Sequence, residues 1–157
     1  MSPFDSPPFV PSEFSGVVRL FPLPELVVFP HALQPLHIFE PRYRQMLDAA
    51  LATDRLIAMA LLKPVDEDGY DGTDAIESTV CLCKVVSVTK LADGRSNVLL
   101  TGVHRARVVQ ELDNGHAFRE ARVELVDDVY PQSQVEVELL QSELMGRFYV
   151  ASSTGSL

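Results

Sequence analysis

The chain has 157 residues, 46% of them hydrophobic and 22% charged, with a formal net charge of −9. That length suits one domain with a proper core. The acidic balance makes phosphate backbones and anionic membranes repulsive surfaces, and no apolar run reaches the ~18 residues of a membrane-spanning helix.

Residues 1–16, MSPFDSPPFVPSEFSG, are rich in proline and serine and read as a flexible N-terminal arm. They have neither a basic start nor an apolar core, so they are no secretory signal, and a cytoplasmic location is expected. From residue 17 the chain turns apolar, and Pro22, Pro24, Pro30 and Pro35 cut it into the extended pieces VVRLF, ELVVF and PLHIF. At Pro41 the period changes. Tyr43, Met46, Leu47, Ala50 and Leu51 recur at helical spacing, which predicts a helix over 41–52. LIAMALL, 56–62, is a continuous apolar run of strand length.

An acidic loop, 65–77, leads to a β-branched strand over 79–90. Asp93-Gly94 then signals a type I′ turn into a strand over 96–102. Another strand, 105–112, reaches a second such signal, Asn114-Gly115. The return strand over 117–126 places Ala117, Ala121, Val123 and Leu125 on one face. Ser133 and Glu136 form a capping-box pattern opening a helix with the stripe Val137, Leu140, Leu144 and Phe148. Many strands and two helices predict a β-rich α+β fold. The expected divisions are the arm at 1–16, a β-rich body over 17–130, a helical part over 131–150 and a frayed tail over 151–157.

Candidate chemistry is sparse. Neither GxxxxGK[ST] nor GxSxG occurs. Asp66, Asp68, Asp71, Asp74 and Glu77 superficially suggest a calcium loop, but Asp71 stands where an EF-hand needs glycine, so they read as a solvated loop. His31 and His37 alone cannot complete a zinc site. Cys81 and Cys83, two apart on one strand, read as reduced, buried thiols, because a disulfide there would strain the strand. No metal or cofactor is expected. Phe29, His31, Ala32 and Leu33 flank Pro30 and either pack in the core or form an exposed apolar loop. Glu40 either meets the helix dipole with Arg44 at i+4, or reaches a strand arginine such as Arg105.

FPLPELVVFPHALQPLHIFEPRYRQML resembles the opening motif of the Lon amino-terminal domain family. The segment LADGRSNVLLTGVHRARVVQELDNGHAFREARVELVDD resembles that family's hairpin and its G-x-x-R segment, here Gly102 and Arg105. The motif residues carried by the resemblance are Pro22, Pro24, Pro30, Pro35, Phe39, Glu40, Arg42, Tyr43, Asp93, Gly94, Gly102 and Arg105. The resemblance implies a PUA-like barrel followed by the start of a helical bundle. It implies a non-catalytic module binding unfolded or degron-bearing polypeptides, through residues such as Phe29, His31, Ala32 and Leu33, for a protease or other machine. A PUA-like nucleic-acid-binding module is the alternative, and the charge opposes it. The final helix, with little of a bundle beside it, is expected either to dock on a second copy or on a partner, or to be poorly ordered.

Overall fold

The computed structural model describes residues 8–65, 69 and 73–155. They form two compact units, divided between Asp127 and Asp128. The first holds β1 (Val17–Leu23), β2 (Leu33–Ile38), α1 (Pro41–Leu51), β3 (Leu56–Leu62), β4 (Ile76–Lys90), β5 (Ser96–Leu112) and β6 (Glu120–Val126).

These strands make a barrel. Strands β4, β3, β1 and β6 follow β5 in order, and β6 pairs again with β5, so the ring closes. The β1–β3 pair is parallel and the other pairs are antiparallel. β2 stands outside the ring, paired to the first half of β5. Pro35, with no donor to give, is tolerated there because β2 is an edge strand.

One long strand replaces the two expected over 96–102 and 105–112. β5 runs through Gly102 without a break. Extra residues at Val103 and Val109 interrupt its registers with β4 and β6, and its first half meets β2 while its second meets β6.

Alternation along the strands divides the core. Leu20, Ala58, Val80, Leu82, Ala106 and Ala121 turn one way, into a cluster fed by every strand of the ring. Phe21, Ile57, Met59, Cys81, Cys83 and Val85 turn the other way. They meet Tyr43, Met46, Leu47 and Ala50, the face of α1 that the period foretold. Tyr43 stacks on Phe21 at 4.4 Å, and burial pushes its hydroxyl pKa up. Beyond the helix, Arg19 of β1 donates to Asp54 at 2.9 Å and to Thr53 at 2.7 Å, tying the end of α1 to the barrel.

The described part of the arm makes contacts with the barrel. Pro11–Glu13 form a 3₁₀ turn, and Phe9 and Phe14 pack against the first of the two clusters. ELVVF, expected as a strand, is not one. Glu25 takes φ 57°, which turns the chain off the line of β1 between Pro24 and Pro30. The last strand also starts later than expected, at Glu120. Asn114 folds a loop by accepting from the His116 N–H at 2.9 Å and donating to the Phe118 carbonyl at 3.1 Å. Ala117 is therefore exposed, and Phe118 is the buried residue.

The second unit carries α2 (Gln134–Ser153). The Ser133 hydroxyl accepts from the Glu136 N–H at 3.1 Å, as the capping pattern requires. The expected stripe is only part of the apolar surface. Val135, Leu139, Met145, Tyr149 and Val150 are exposed along with Leu140, Leu144 and Phe148, and no residue of α2 is buried. Among the described residues, no helix is long and apolar enough to cross a membrane.

The Asp93-Gly94 turn has a different geometry from type I′. The Gly94 N–H donates to the Leu91 carbonyl at 3.1 Å, the Leu91 N–H donates to Arg95 at 2.8 Å, and only Gly94 takes positive φ, 87°. That is a type I turn closed by a left-handed glycine. A Cβ on Gly94 would also lie 2.8 Å from Nη1 of Arg44. Gly94→Val is therefore expected to lower stability by about 1–3 kcal/mol, read as a lower urea midpoint with unchanged slope.

Candidate functional site

The site begins with a proline turn. Phe29, Pro30, His31 and Ala32 form a type II turn: the Ala32 N–H donates to the Phe29 carbonyl at 3.1 Å. Proline occupies the second position, and His31 takes φ 69° at the third, where glycine or asparagine is usual. The turn is pressed onto β5. The His31 N–H donates to the Gly102 carbonyl at 2.8 Å, and the Gly102 N–H donates to Ala32 at 2.9 Å. A Cβ on Gly102 would lie 2.2 Å from the Phe29 carbonyl oxygen, so only glycine admits the turn at this distance.

Held this way, the segment before the turn splits its side chains. Val28 is buried in the core, while Val27 and Phe29 are 57% and 61% exposed. Leu33, just after it, is 56% exposed, and His31 is exposed. The open alternative for this loop is thus resolved toward the surface for Phe29 and Leu33. Beside the segment lies a cleft of about 250 Å³. Leu26, Val27, Val28 and Phe29 form one wall, and Met59, Leu61, Val80 and Cys81 form the other. Glu77, Thr79 and Arg105 supply its polar part. His31, Ala32 and Leu33 do not line it. Leu26, Val27 and the β3 and β4 residues escaped the sequence reading. The available signal was the alternation of Val27 and Phe29 with Val28 between two prolines, on a segment too broken to be a strand.

The other motif residues hold the scaffold around the turn. Pro22 is buried in the part of β1 that pairs with β3 alone, and its carbonyl accepts from the Tyr43 hydroxyl at 3.5 Å. Pro24 is exposed at the end of β1. Glu40 is the N-cap of α1, but its carboxylate accepts from Arg42 Nε at 2.9 Å and makes no capping bond. The partner it takes is therefore Arg42, in place of Arg44 or Arg105. Arg44 instead donates to the Phe39 carbonyl at 2.8 Å. The Phe39 side chain is 54% exposed and stacks with His37, whose Nδ1 lies 2.7 Å from the Asn97 side-chain oxygen. Asp93 accepts from the Arg95 N–H at 3.1 Å, which holds its carboxyl below the usual range.

Cys81 in the wall of the cleft and Cys83 behind it are free thiols, both buried. Cys83 donates to Cys81, with their sulfurs 4.0 Å apart. That hydrogen bond and burial push the Cys83 thiol up; the same bond holds Cys81 down, with Arg105 adding to it. Asp66, Asp68 and Asp71 of the acidic loop lie outside the described residues.

Comparison with known proteins gives this closed barrel and its apolar cleft a family. The ATP-dependent protease La (LON) substrate-binding domain matches residues 17–152, and the chain belongs to that family. The Lon protease of Azorhizobium caulinodans is 34% identical over 150 residues, covering 94% of this chain and 17% of that protein. The Lon protease of Escherichia coli strain K12 is 30% identical over 101 residues, covering 64% of this chain and 13% of that protein. The chain thus spans less than a fifth of the length of these curated relatives.

Two solved structures share the fold. A Lon N-terminal domain protein from Xanthomonas campestris has a TM-score of 0.56 at 22% identity, covering 82% of this chain and 73% of that one. The N-terminal domain of Mycobacterium avium complex Lon protease has a TM-score of 0.59 at 18% identity, covering 90% and 75%.

Because the turn fits only against glycine, Gly102→Ala is expected to cost about 1–3 kcal/mol through forced displacement of the backbone at Phe29. A fall in the urea midpoint, with amide exchange at His31 faster than in wild type, is the outcome to measure.

Proposed function

We propose that this chain captures unfolded or degron-bearing polypeptide segments for a protease or other machine, with the cleft beside Phe29 as the contact. The carrying observation is that Val27 and Phe29 are exposed at the wall of an apolar cleft while the turn behind them is fixed on Gly102. Family membership supports the reading. An apolar side chain entering such a cleft gains roughly 1.5–3 kcal/mol, enough for about a tenfold to hundredfold preference over a polar chain. In this reading the chain itself cleaves neither peptide bonds nor ATP, acts in the cytoplasm, and leaves nucleic acid unbound.

Fluorescence anisotropy with labelled, unfolded casein provides the test. Phe29→Asp and Val27→Asp are each expected to weaken binding at least tenfold. Their urea midpoints should stay near wild type, because both side chains are largely exposed. Full affinity in both variants would refute the assignment of this cleft. Casein should remain intact throughout.

Self-association through α2 belongs to the same proposal, with the exposed Leu140, Leu144 and Phe148 as its contacts. Leu140→Asp combined with Leu144→Asp is expected to reduce the mass measured by light scattering. A wild type that stays monomeric at high concentration would exclude it.

A further inference from the structure

Three sulfur-bearing residues share one buried cluster behind the wall of the cleft. Met59 of β3 is the register partner of Cys81 of β4, and Cys83 follows two residues along on the same face. Directly paired residues on antiparallel strands have Cβ atoms about 4.5–5.5 Å apart, and a methionine side chain is flexible enough to turn its sulfur toward its neighbour. All three are buried, with exposures of 4% for Met59, 5% for Cys81 and 0% for Cys83. Met59 and Cys81 also line the cleft, which gives the group a path to solvent. We propose that Cys81, Cys83 and Met59 form a binding site for a soft monovalent cation, Cu(I).

The donor set selects the ion. Calcium and magnesium require several oxygen ligands, and none of the three side chains supplies one. Structural zinc takes four nitrogen or sulfur ligands. Among the described residues, no group of three or more His, Cys, Asp or Glu could hold a metal. Two thiolates and a thioether suit Cu(I), which soft sulfur ligands favour. The spacing fits as well. With metal–sulfur bonds near 2.3 Å, two sulfurs on one ion lie ~3.8 Å apart at a tetrahedral angle and ~4.6 Å apart in line. The observed 4.0 Å falls between these limits.

Binding is a ligand exchange without electron transfer. Each thiol forms a copper–sulfur bond and releases its proton to solvent, and copper stays Cu(I). Two thiolates and one Cu(I) leave a single negative charge, which the Arg105 guanidinium on the same cleft opposes.

The test is an oxygen-free titration of the whole reduced chain with Cu(I) presented by bicinchoninate. Wild type is expected to withdraw one equivalent, to develop near-ultraviolet copper–thiolate absorption and to unfold at a higher temperature when loaded. Cys81→Ser and Cys83→Ser, checked for folding by circular dichroism, should each lose affinity at least a hundredfold. Met59→Leu keeps the volume of the side chain and should lose about tenfold. Failure of wild type to withdraw copper would overturn the site. So would wild-type affinity in folded serine variants, or X-ray absorption showing nitrogen or oxygen ligands. Should the serine variants not fold, sulfur-only coordination at one equivalent in wild type, weakened in Met59→Leu, upholds it. Zinc at the same concentration should not be retained, and tighter retention of zinc than of copper would also overturn it.

Discussion

The backbone contact between Gly102 and the Phe29–Ala32 turn is the constraint on which the proposed binding face depends. Two hydrogen bonds and a missing Cβ hold an otherwise irregular segment against the barrel. The consequences run in both directions. Inward, Val28 is committed to the core; outward, Val27 and Phe29 are committed to solvent. A non-glycine residue, His31, is kept at positive φ, a conformation that costs roughly 1–2 kcal/mol and persists because its neighbours over-determine it. The surface proposed to take polypeptide is thus fixed in place without belonging to any strand. Rigidity of this kind lowers the ordering cost of association, which is where apolar contacts otherwise lose much of their gain.

The same contact joins the two sequence blocks that resemble the family. The first supplies the proline turn and the second supplies the glycine. Their meeting is backbone against backbone, so no pairing of side-chain types could have announced it. This is why the ion pair from Glu40 to Arg105 was attractive on paper and absent in fact. A carboxylate and a guanidinium are visible in a sequence, whereas a steric allowance is not. Glu40 satisfied itself two residues away, on Arg42.

Most of the scaffold was legible because its signals are local and periodic. LIAMALL became β3 at the residues expected, Pro41 opened α1, and Ser133 capped α2. The failures have a common origin. ELVVF has strand composition, but Glu25 and the flanking prolines redirect it. Ala117 fits the alternation of β6, but Asn114 folds the loop locally and delivers Phe118 instead. Gly102 looked like a break between strands, although β5 passes straight through it. In each case a position with unusual backbone freedom or a local side-chain bond overrode the pattern. The cleft was less legible still, since its walls come from segments far apart in the chain and only register places Met59 beside Cys81.

Closure of the ring has a consequence for how the molecule comes into being. β1 is made first, yet its partner on one side is β6, the last strand. β1 can pair with β3 early, in parallel, with α1 packed alongside, but the Val17–Arg19 edge waits for Glu120–Arg122. Contacts this distant along the chain form only after the intervening loops have lost their freedom, which slows folding. Before β5 and β6 are made, β1, β3 and β4 can pair only as an open sheet with unsealed edges, and β2 has no partner strand, a shape prone to pairing with other chains. A domain whose relatives bind proteolytic substrates therefore spends its own synthesis as a temporarily unfinished barrel, until its final strand arrives.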